Sequence, residues 1–189
     1  MDTKELVNWK QIELTWEKSE IKYYKQFWEK KGFKSWRQWR SSYIRALALP
    51  KLQWKVREYI NAKSYLETTF PNQLTWWRKF SPPGQVWRFA GIKSHAELKN
   101  HGRIEDIKKS LGKEMTLIVL HDKTRRVLVD GHHRSVAIVQ ADNYVLESLK
   151  LKVYEAEITS AFMDQILRSR FKYLFRRVFD LLYLLGLTD

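Results

Sequence analysis

The hydrophobic pattern of the first half of the chain predicts helices. Residues 3–31 are rich in long helix-forming side chains and contain neither Pro nor Gly, and Gly32 ends the segment. Ser35 is a suitable N-cap for a second helix, which Pro50 ends. Residues 51–62 are predicted as a third helix. The apolar positions of the second helix recur at spacings of three and four, which places on one face Trp36, Trp39, Tyr43 and Leu47.

The second half alternates in type beyond an irregular, Pro-containing stretch at 70–84. Residues 86–92, 115–120, 126–129 and 149–158 are predicted as strands, and residues 103–111, 132–141 and 161–185 as helices. Glu155 and Glu157 share one face of the last strand. One of them could serve as a base or metal ligand, but we expect both to face solvent. The predicted fold is therefore α/β, with a small mixed sheet and a long C-terminal helix. Residues 1–84 form a helical Trp-rich layer and residues 85–189 the α/β core, together one compact unit.

Cysteine usage and apolar run length narrow the function classes. The chain has no Cys, which excludes a disulfide scaffold, a thiol nucleophile and cysteine metal sites. The longest apolar run, residues 178–187, is interrupted by Asp180 and is about half of the roughly 20 residues that span a bilayer. We therefore expect a cytoplasmic protein without a transmembrane helix, for which association with a membrane through a partner stays open.

The net charge indicates a polyanionic partner. The chain carries 35 Lys and Arg against 21 Asp and Glu, a net charge of +14. No acidic residue lies between Lys30 and Arg57, and self-repulsion disfavours such a block unless a polyanion neutralises it. Nucleic acid is the first candidate, and an anionic membrane surface or an acidic protein the second. The predicted nucleic-acid-binding stripe comprises Lys30, Lys31, Lys34, Arg37, Arg40 and Arg45.

The tryptophans allow two interpretations. All nine lie between Trp9 and Trp87, and around residues 36–40 and 76–79 they alternate with cations. Aromatic side chains that stack on bases, beside cations that contact phosphates, hold single-stranded nucleic acid without sequence preference. The alternative is that the tryptophans form the core face of helices, and we prefer it for the individual residues.

The segment Asp130-Gly131-His132-His133-Arg134-Ser135 carries the candidate chemistry. It follows a hydrophobic strand and opens a helix, whose first N–H groups have no partners within the helix and whose dipole is positive there. A glycine at this point allows a phosphate to approach the backbone, and an arginine can hold phosphate in bidentate fashion. The phosphate-binding set is therefore Gly131, Arg134 and Ser135.

The same six residues supply candidate catalytic groups. His132 and His133 could transfer protons near neutral pH, and Asp130 could cap the helix, orient a histidine or bind a metal such as Mg²⁺. Arg134 could stabilise developing charge. The structural alternative is an ordinary Asp-Gly turn with a capping Asp, but that does not account for two His and an Arg in the first helical turn.

The motif resembles the phosphate-binding box of the ParB/sulfiredoxin-like superfamily, over residues 86–158. His133 and Arg134 match the His-Arg pair of sulfiredoxin-like sequences, whereas His132 stands where sulfiredoxin has its catalytic Cys. That reaction is thereby excluded. ParB's Gly-Glu-Arg-Arg is matched only at Gly131 and Arg134, and its second box is absent, so a CTP-driven clamp is not expected.

The whole chain resembles plasmid fertility inhibition factors of the oncogenic suppression type, which share that fold. The resemblance implies ATPase and DNase activity, with ATP or another nucleotide and Mg²⁺ as cofactors, directed at DNA that passes through a type IV secretion system. Three alternatives stay open. The chain could be a non-catalytic nucleic-acid-binding module, an interaction protein that blocks a secretion partner, or a small-molecule kinase of the same fold.

Overall fold

A five-stranded mixed sheet with helices on both faces organises the chain. The computed structural model describes residues 5–60, 62–82, 85–111, 114–146, 149–168 and 178. The strands are β1 (Glu5–Val7), β2 (Trp54–Tyr59), β3 (Met115–His121), β4 (Arg126–Asp130) and β5 (Leu151–Glu157). The α-helices are α1 (Trp9–Lys30), α2 (Trp36–Ala46), α3 (Ala62–Glu67), α4 (Phe89–Ile92), α5 (Ala96–Lys99), α6 (Gly102–Lys108), α7 (His132–Gln140) and α8 (Ser160–Arg168). Short 3₁₀ turns cover Leu49–Lys51, Trp76–Phe80 and Asn143–Leu146.

The sheet joins both halves of the sequence. Its strand order is β1-β2-β5-β3-β4, with β3 parallel to β5 and the other neighbours antiparallel. The predicted α/β class with a mixed sheet is confirmed. Strands β1 and β2 come from residues before position 84 and the other three from residues after it, so segments on both sides of the predicted boundary form one sheet.

Each face of the sheet covers its own hydrophobic cluster. Side chains alternate between the faces with period two, so Ile118 and Leu120 of β3 belong to one cluster while Leu117 and Val119 belong to the other. The first cluster includes buried residues of α1, α2 and α8, and the second includes those of α3, α4, α6 and α7. As predicted, Trp36 and Tyr43 of α2 and its C-cap Leu47 are buried, and Trp39 packs half-buried beside them. The helical spacing of three and four residues therefore identified this buried face correctly.

Two predicted elements were wrong in type. Residues 54–59 form strand β2 instead of part of a third helix, because Trp54 and Val56 alternate with Lys55 and pair with β5. Within residues 86–92 no strand is present, and Phe89–Ile92 form the short helix α4. Such a short apolar run fits either a buried strand or a buried helical turn, and periodicity cannot separate the two.

The helix ends follow local capping. Ser35 accepts a hydrogen bond from the Gln38 N–H and starts α2, as predicted. Helix α1 starts later than predicted, after a capping box between Asn8 and Gln11, because Glu5–Val7 pair with β2. The predicted C-terminal helix is described only as Ser160–Arg168, and the rest of it lies outside the described residues. In the described part, no helix has the length and apolarity that a membrane span requires.

Glu155 is buried, so the prediction that it faces solvent was wrong, whereas Glu157 is exposed. The Tyr59 and Tyr65 hydroxyls donate to Glu155 Oε1 at 2.6 and 2.7 Å, and Arg57 Nε lies 3.3 Å from Glu155 Oε2. Burial and the hydrogen bond to Glu155 raise the pKa of Tyr59 to about 12. Aromatic donors from β2 and α3 thus make a buried carboxylate tolerable in this strand.

A buried hydrogen-bond network around Asn72 connects α2, β4 and α7. The Asn72 side chain donates to Tyr43 Oη at 2.8 Å and accepts from the Leu74 N–H at 2.9 Å. Tyr43 in turn donates to the Val129 carbonyl at 3.0 Å, and the Asn72 N–H donates to His132 Nε2 at 3.1 Å. This network fixes the N-terminus of α7 relative to the helical layer.

We expect Asn72→Ala to lower the free energy of unfolding by about 2–3 kcal/mol, because it leaves the buried Leu74 N–H without an acceptor. Urea unfolding measures the change. The control is Asn143→Ala, which removes an exposed contact to Lys63 and should change stability by less than about 0.5 kcal/mol. Equal effects of the two substitutions would contradict the role of Asn72.

Candidate functional site

The predicted strand–turn–helix is present around Gly131. Strand β4 ends at Asp130, Gly131 has a φ of 102°, and α7 begins at His132. A Cβ at Gly131 would lie 2.2 Å from Leu117 Cδ2, in a backbone conformation that L side chains rarely adopt. Glycine is therefore required here both by the turn and by the close approach of β3.

A β-bulge precedes the turn. Ile118 pairs with Asp130 and Val119 with Leu128, so Val129 has no partner residue in β3. Its carbonyl accepts the hydrogen bond from Tyr43 instead. Bulges of this kind bend a strand and redirect the residues that follow, and they are frequent beside functional sites.

Asp130 and Arg134 pair across the turn. Arg134 Nη2 donates to Asp130 Oδ2 at 2.5 Å, and the guanidinium lies 3.4–3.5 Å from the position that a Gly131 Cβ would take. Asp130 therefore holds the arginine over the glycine. The capping role considered for Asp130 was wrong, because Gly131 occupies the N-cap position.

The first turn of α7 offers donors to an anion. Its N-cap, Gly131, provides no side-chain acceptor, so no side-chain hydrogen bond caps the first N–H groups at the positive end of the helix dipole. Ser135 is fully buried in the same turn, and its Oγ has no hydrogen-bond partner among the described residues. Gly131, Arg134 and Ser135 lie in this one turn, and their role in phosphate binding stays a prediction.

His132 is engaged in the fold. Its ring is buried, stacks on Trp77 at a centroid distance of 5.1 Å, and accepts the Asn72 N–H at Nε2. Burial, with smaller contributions from His133, Arg40 and Arg134, holds its pKa well below 6.5. A lone pair that accepts a buried N–H is not available to remove a proton from a substrate, so packing accounts for this histidine.

His133 lies against a second histidine and an arginine. Its ring is 5.0 Å from that of His101 and 5.2 Å from that of Trp77. Burial lowers its pKa to about 3, and the charges of Arg103, His101 and Arg134 act in the same direction. It is a neutral imidazole at physiological pH, able to donate or accept a hydrogen bond but weakly basic.

Arg103, at the start of α6, is a site residue that sequence reasoning missed. Its guanidinium lies 4.4 and 4.7 Å from the ring centroids of Tyr23 and Tyr24, and its charge acts on His133. The charges of Arg103 and Arg134 thus both act on His133 in the first turn of α7. The sequence signal was weak, because Arg103 is separated from the motif by the rest of α6 and by strands β3 and β4.

A small cleft lies beside the ion pair. Asp130 and Arg134 line it together with Thr116, Tyr154 and Trp16, whose indole N–H has no hydrogen-bond partner in the described part of the chain. Its volume is about 20 Å³, room for about one water molecule. A phosphate could contact the rim in this conformation, whereas the sugar and base of a nucleotide must lie outside.

The predicted basic stripe is exposed with one exception. Five of its six members are exposed: Lys30, Lys31, Lys34, Arg37 and Arg45. Arg40 is a correction, because its side chain is mostly buried, pairs with Glu20 and stacks on Trp39 at 3.9 Å. Arg37 is exposed but forms a bidentate pair with Glu13, with both contacts at 3.1 Å. Acidic residues of α1, distant in sequence, therefore neutralise part of the block.

The preference for core tryptophans is confirmed for most of the nine. Five are buried and two half-buried, whereas Trp76 and Trp87 are 42% and 39% exposed. Lys79 lies over the Trp76 ring at 5.1 Å, and that ring is 6.0 Å from His133. The base-stacking interpretation is thus limited to these two exposed side chains. The buried and half-buried residues are Trp9, Trp16, Trp28, Trp36, Trp39, Trp54 and Trp77.

Metal binding at Asp130 stays a prediction. Within the described ranges, no group of three or more His, Asp or Glu side chains could hold a metal ion. Mg²⁺, however, is commonly held by one or two carboxylates together with substrate phosphates, and Asp130 fits that requirement.

Neither a protein-family model, nor a curated protein, nor a solved structure matches this chain.

The buried histidines predict acid sensitivity. His133 has a lower pKa folded, about 3, than unfolded, about 6.5, so the unfolded chain binds more protons between these values. Stability should be full above pH 6.5 and fall as the pH decreases, by roughly 2–3 kcal/mol at pH 4.5 from this residue. His132 acts in the same direction.

Urea unfolding at pH 7.5, 6.5, 5.5 and 4.5 measures this dependence. His133→Gln should flatten the profile, whereas His121→Gln, which changes a half-buried histidine outside this cluster, should leave the parent profile. A profile for His133→Gln as steep as that of the parent would show that His133 is not buried in its neutral form.

Proposed function

We propose that this protein handles nucleotides and DNA and that the turn from Asp130 to Ser135 binds phosphate. The observation that carries the proposal is the opening of α7, where uncapped N–H groups, Gly131 and the Arg134 guanidinium converge. Arg103 adds a second guanidinium on the side of His133. Phosphate is the ligand that this combination favours, because both the N–H groups of a helix N-terminus and an arginine guanidinium donate hydrogen bonds to phosphate oxygens.

The ion pair with Asp130 defines how phosphate would bind. A phosphate that contacts Arg134 must either share the guanidinium with Asp130 or displace that carboxylate. Repulsion between carboxylate and phosphate is relieved if Mg²⁺ lies between them, and the ion would supply charge neutralisation there. Asp130 is therefore the residue that distinguishes metal-assisted from metal-free binding.

ATP hydrolysis and DNA cleavage are the activities that we propose for this site. Arg134 and the α7 N–H groups would stabilise charge on the transferred or cleaved phosphate, and Asp130 would orient a water or hold the metal. His133 contributes a ring N–H or an acceptor at the rim, because a pKa near 3 makes it a weak base at neutral pH. Directed at DNA in a type IV secretion channel, this activity would inhibit plasmid transfer.

A non-catalytic nucleic-acid-binding module is the second candidate. It is favoured by the state of both histidines, since His132 accepts the Asn72 N–H and both pKa values are lowered. The two candidates share the phosphate site and differ only in turnover. Incubation with ATP, single-stranded DNA and duplex DNA, with and without Mg²⁺, separates them: phosphate release or nicking supports the enzyme, and binding without products supports the module.

We expect Arg134→Ala to weaken ATP binding by roughly 10- to 150-fold, the loss of one charge-assisted hydrogen bond of about 1.5–3 kcal/mol. Isothermal titration measures the affinity. Lys109→Ala, which removes a cation from an exposed pair with Asp106, is the charge-matched control and should bind ATP like the parent. Unchanged affinity in folded Arg134→Ala would refute the phosphate site.

Asp130→Asn has opposite expected effects in the two binding modes. If phosphate binds without metal, removal of the competing carboxylate should tighten ATP binding several-fold in EDTA. If Mg²⁺ bridges Asp130 and phosphate, the substitution should remove the Mg²⁺-dependent part of the affinity. Affinity that is unchanged in both EDTA and Mg²⁺ would exclude Asp130 from the site.

The exposed basic residues predict salt-dependent DNA binding. Lys31, Lys34 and Arg45 are exposed members of the stripe, whereas Arg40 is excluded from the test because its loss would leave Glu20 buried and unpaired. Replacing the three with Gln should flatten the slope of log K against log salt for duplex DNA by about two to three, at about 0.9 for each phosphate contact. Fluorescence anisotropy across salt concentrations measures the slope. An unchanged slope would assign this surface to another partner.

A further inference from the structure

An open groove next to α4 has no role in the proposed phosphate site. Its volume is about 620 Å³, within the range of ligand-binding clefts, and its walls include Phe70, Val86, Trp87, Arg88 and Gly91. Trp87 is one of the two exposed tryptophans, and the Arg88 guanidinium lies 5.2 Å from the centroid of the Phe70 ring. The groove thus combines two aromatic surfaces with a cation.

The local packing positions Trp87. A Cβ on Gly91 would lie 3.2–3.3 Å from atoms of the Trp87 side chain, so the glycine lets the indole pack closely on α4. The Trp87 N–H groups are also satisfied, since the backbone N–H donates to Ser81 Oγ at 3.1 Å and the indole N–H donates to Gln85 Oε1 at 2.9 Å. The ring is therefore held in place while a large part of its surface stays open to solvent.

The charge of the groove selects among possible occupants. Among the described residues, no acidic side chain lines it, and Arg88 is exposed at its rim. A flat aromatic group can stack on the exposed ring of Trp87, and the exposed Arg88 guanidinium favours an attached negative charge. A nucleobase with its backbone phosphate has both properties, and it binds such aromatic and cationic surfaces regardless of its sequence.

The position of the groove relates it to the α7 turn. Phe70 bridges to Val127 of β4, and its backbone exchanges hydrogen bonds with Arg126 and Leu128. Asp130 is three residues farther along the same strand, about 10 Å at roughly 3.3 Å per residue. Strand β4 thus connects the backbone of Phe70 to the turn that opens α7.

We propose that the groove formed by Phe70, Trp87 and Arg88 binds an unpaired base of single-stranded nucleic acid, with Trp87 as its stacking surface. This goes beyond the proposed phosphate site, because the groove can bind a base even where the α7 turn binds no phosphate. Duplex DNA keeps its bases stacked inside the helix and cannot use the groove. The groove therefore gives the protein a preference for single strands that charge alone does not provide.

The test uses the full chain and two fluorescein-labelled 12-mers of equal charge, oligothymidylate and a strand in which every position is abasic. The parent should bind oligothymidylate more tightly than the abasic strand. Trp87→Ala should weaken oligothymidylate binding by roughly 5- to 150-fold, the loss of one base stack, and leave abasic and duplex binding unchanged. Trp87→Phe should retain most of the parent affinity because an aromatic face remains.

Arg88→Gln should weaken both single strands and flatten their salt slope by about 0.7, the contribution of one phosphate contact. Arg134→Ala should impair ATP binding and leave the preference for oligothymidylate over the abasic strand. The two failures are therefore distinguishable: a preference that Trp87→Ala leaves intact overturns the groove alone, and unchanged ATP binding in Arg134→Ala overturns the phosphate site alone. Equal loss of duplex and single-strand binding in a folded Trp87→Ala, or equal binding of both 12-mers by the parent, would also overturn the groove.

Discussion

The side-chain amide of Asn72 and the hydroxyl of Tyr43 hold together the parts of the molecule on which the candidate site depends. Through them, α2 contacts the bulged strand β4 and the segment before the 3₁₀ turn Trp76–Phe80. The Asn72 N–H adds His132 of α7 to the same network. Because these groups are buried, each bond that is broken leaves an unsatisfied polar group, which makes the arrangement specific as well as stable.

Burial at the start of α7 explains why the two adjacent histidines do not have the properties of an acid–base pair. His132 and His133 lie among Trp76, Trp77 and His101, where a charged imidazolium is poorly solvated. Because both pKa values are lowered, neither histidine changes its charge near neutral pH. In the proposed phosphate site, positive charge would come from the guanidinium group of Arg134, with Arg103 as a further cation that acts on His133.

Charge is divided between the interior and the surface. Glu13 and Glu20 of α1 point towards α2, where they pair with Arg37 and Arg40. The lysines of the predicted stripe stay exposed. Cations also lie over exposed aromatic rings, Lys31 at 4.3 Å from the centroid of Phe27 and Lys79 at 5.1 Å from that of Trp76. A strongly basic segment thus serves two purposes, of which only the exposed one is relevant to a polyanionic partner.

Features that depend on neighbours along the chain could be predicted from the amino-acid sequence. The helix α2 with its Ser35 cap, the buried strand β3 and the turn from β4 through Gly131 into α7 follow from spacing, capping and the conformational freedom of glycine. The tertiary structure alone decided β2, whose short alternation becomes a strand by pairing with β5. The burial of single charged residues also depends on the tertiary structure, since Arg40 and Glu155 pair with side chains 20 or more positions away. The charge of Arg103 likewise acts on His133 from another helix. Periodicity reports the face on which a side chain lies, whereas burial, pairing and pKa depend on groups that only the folded chain brings near.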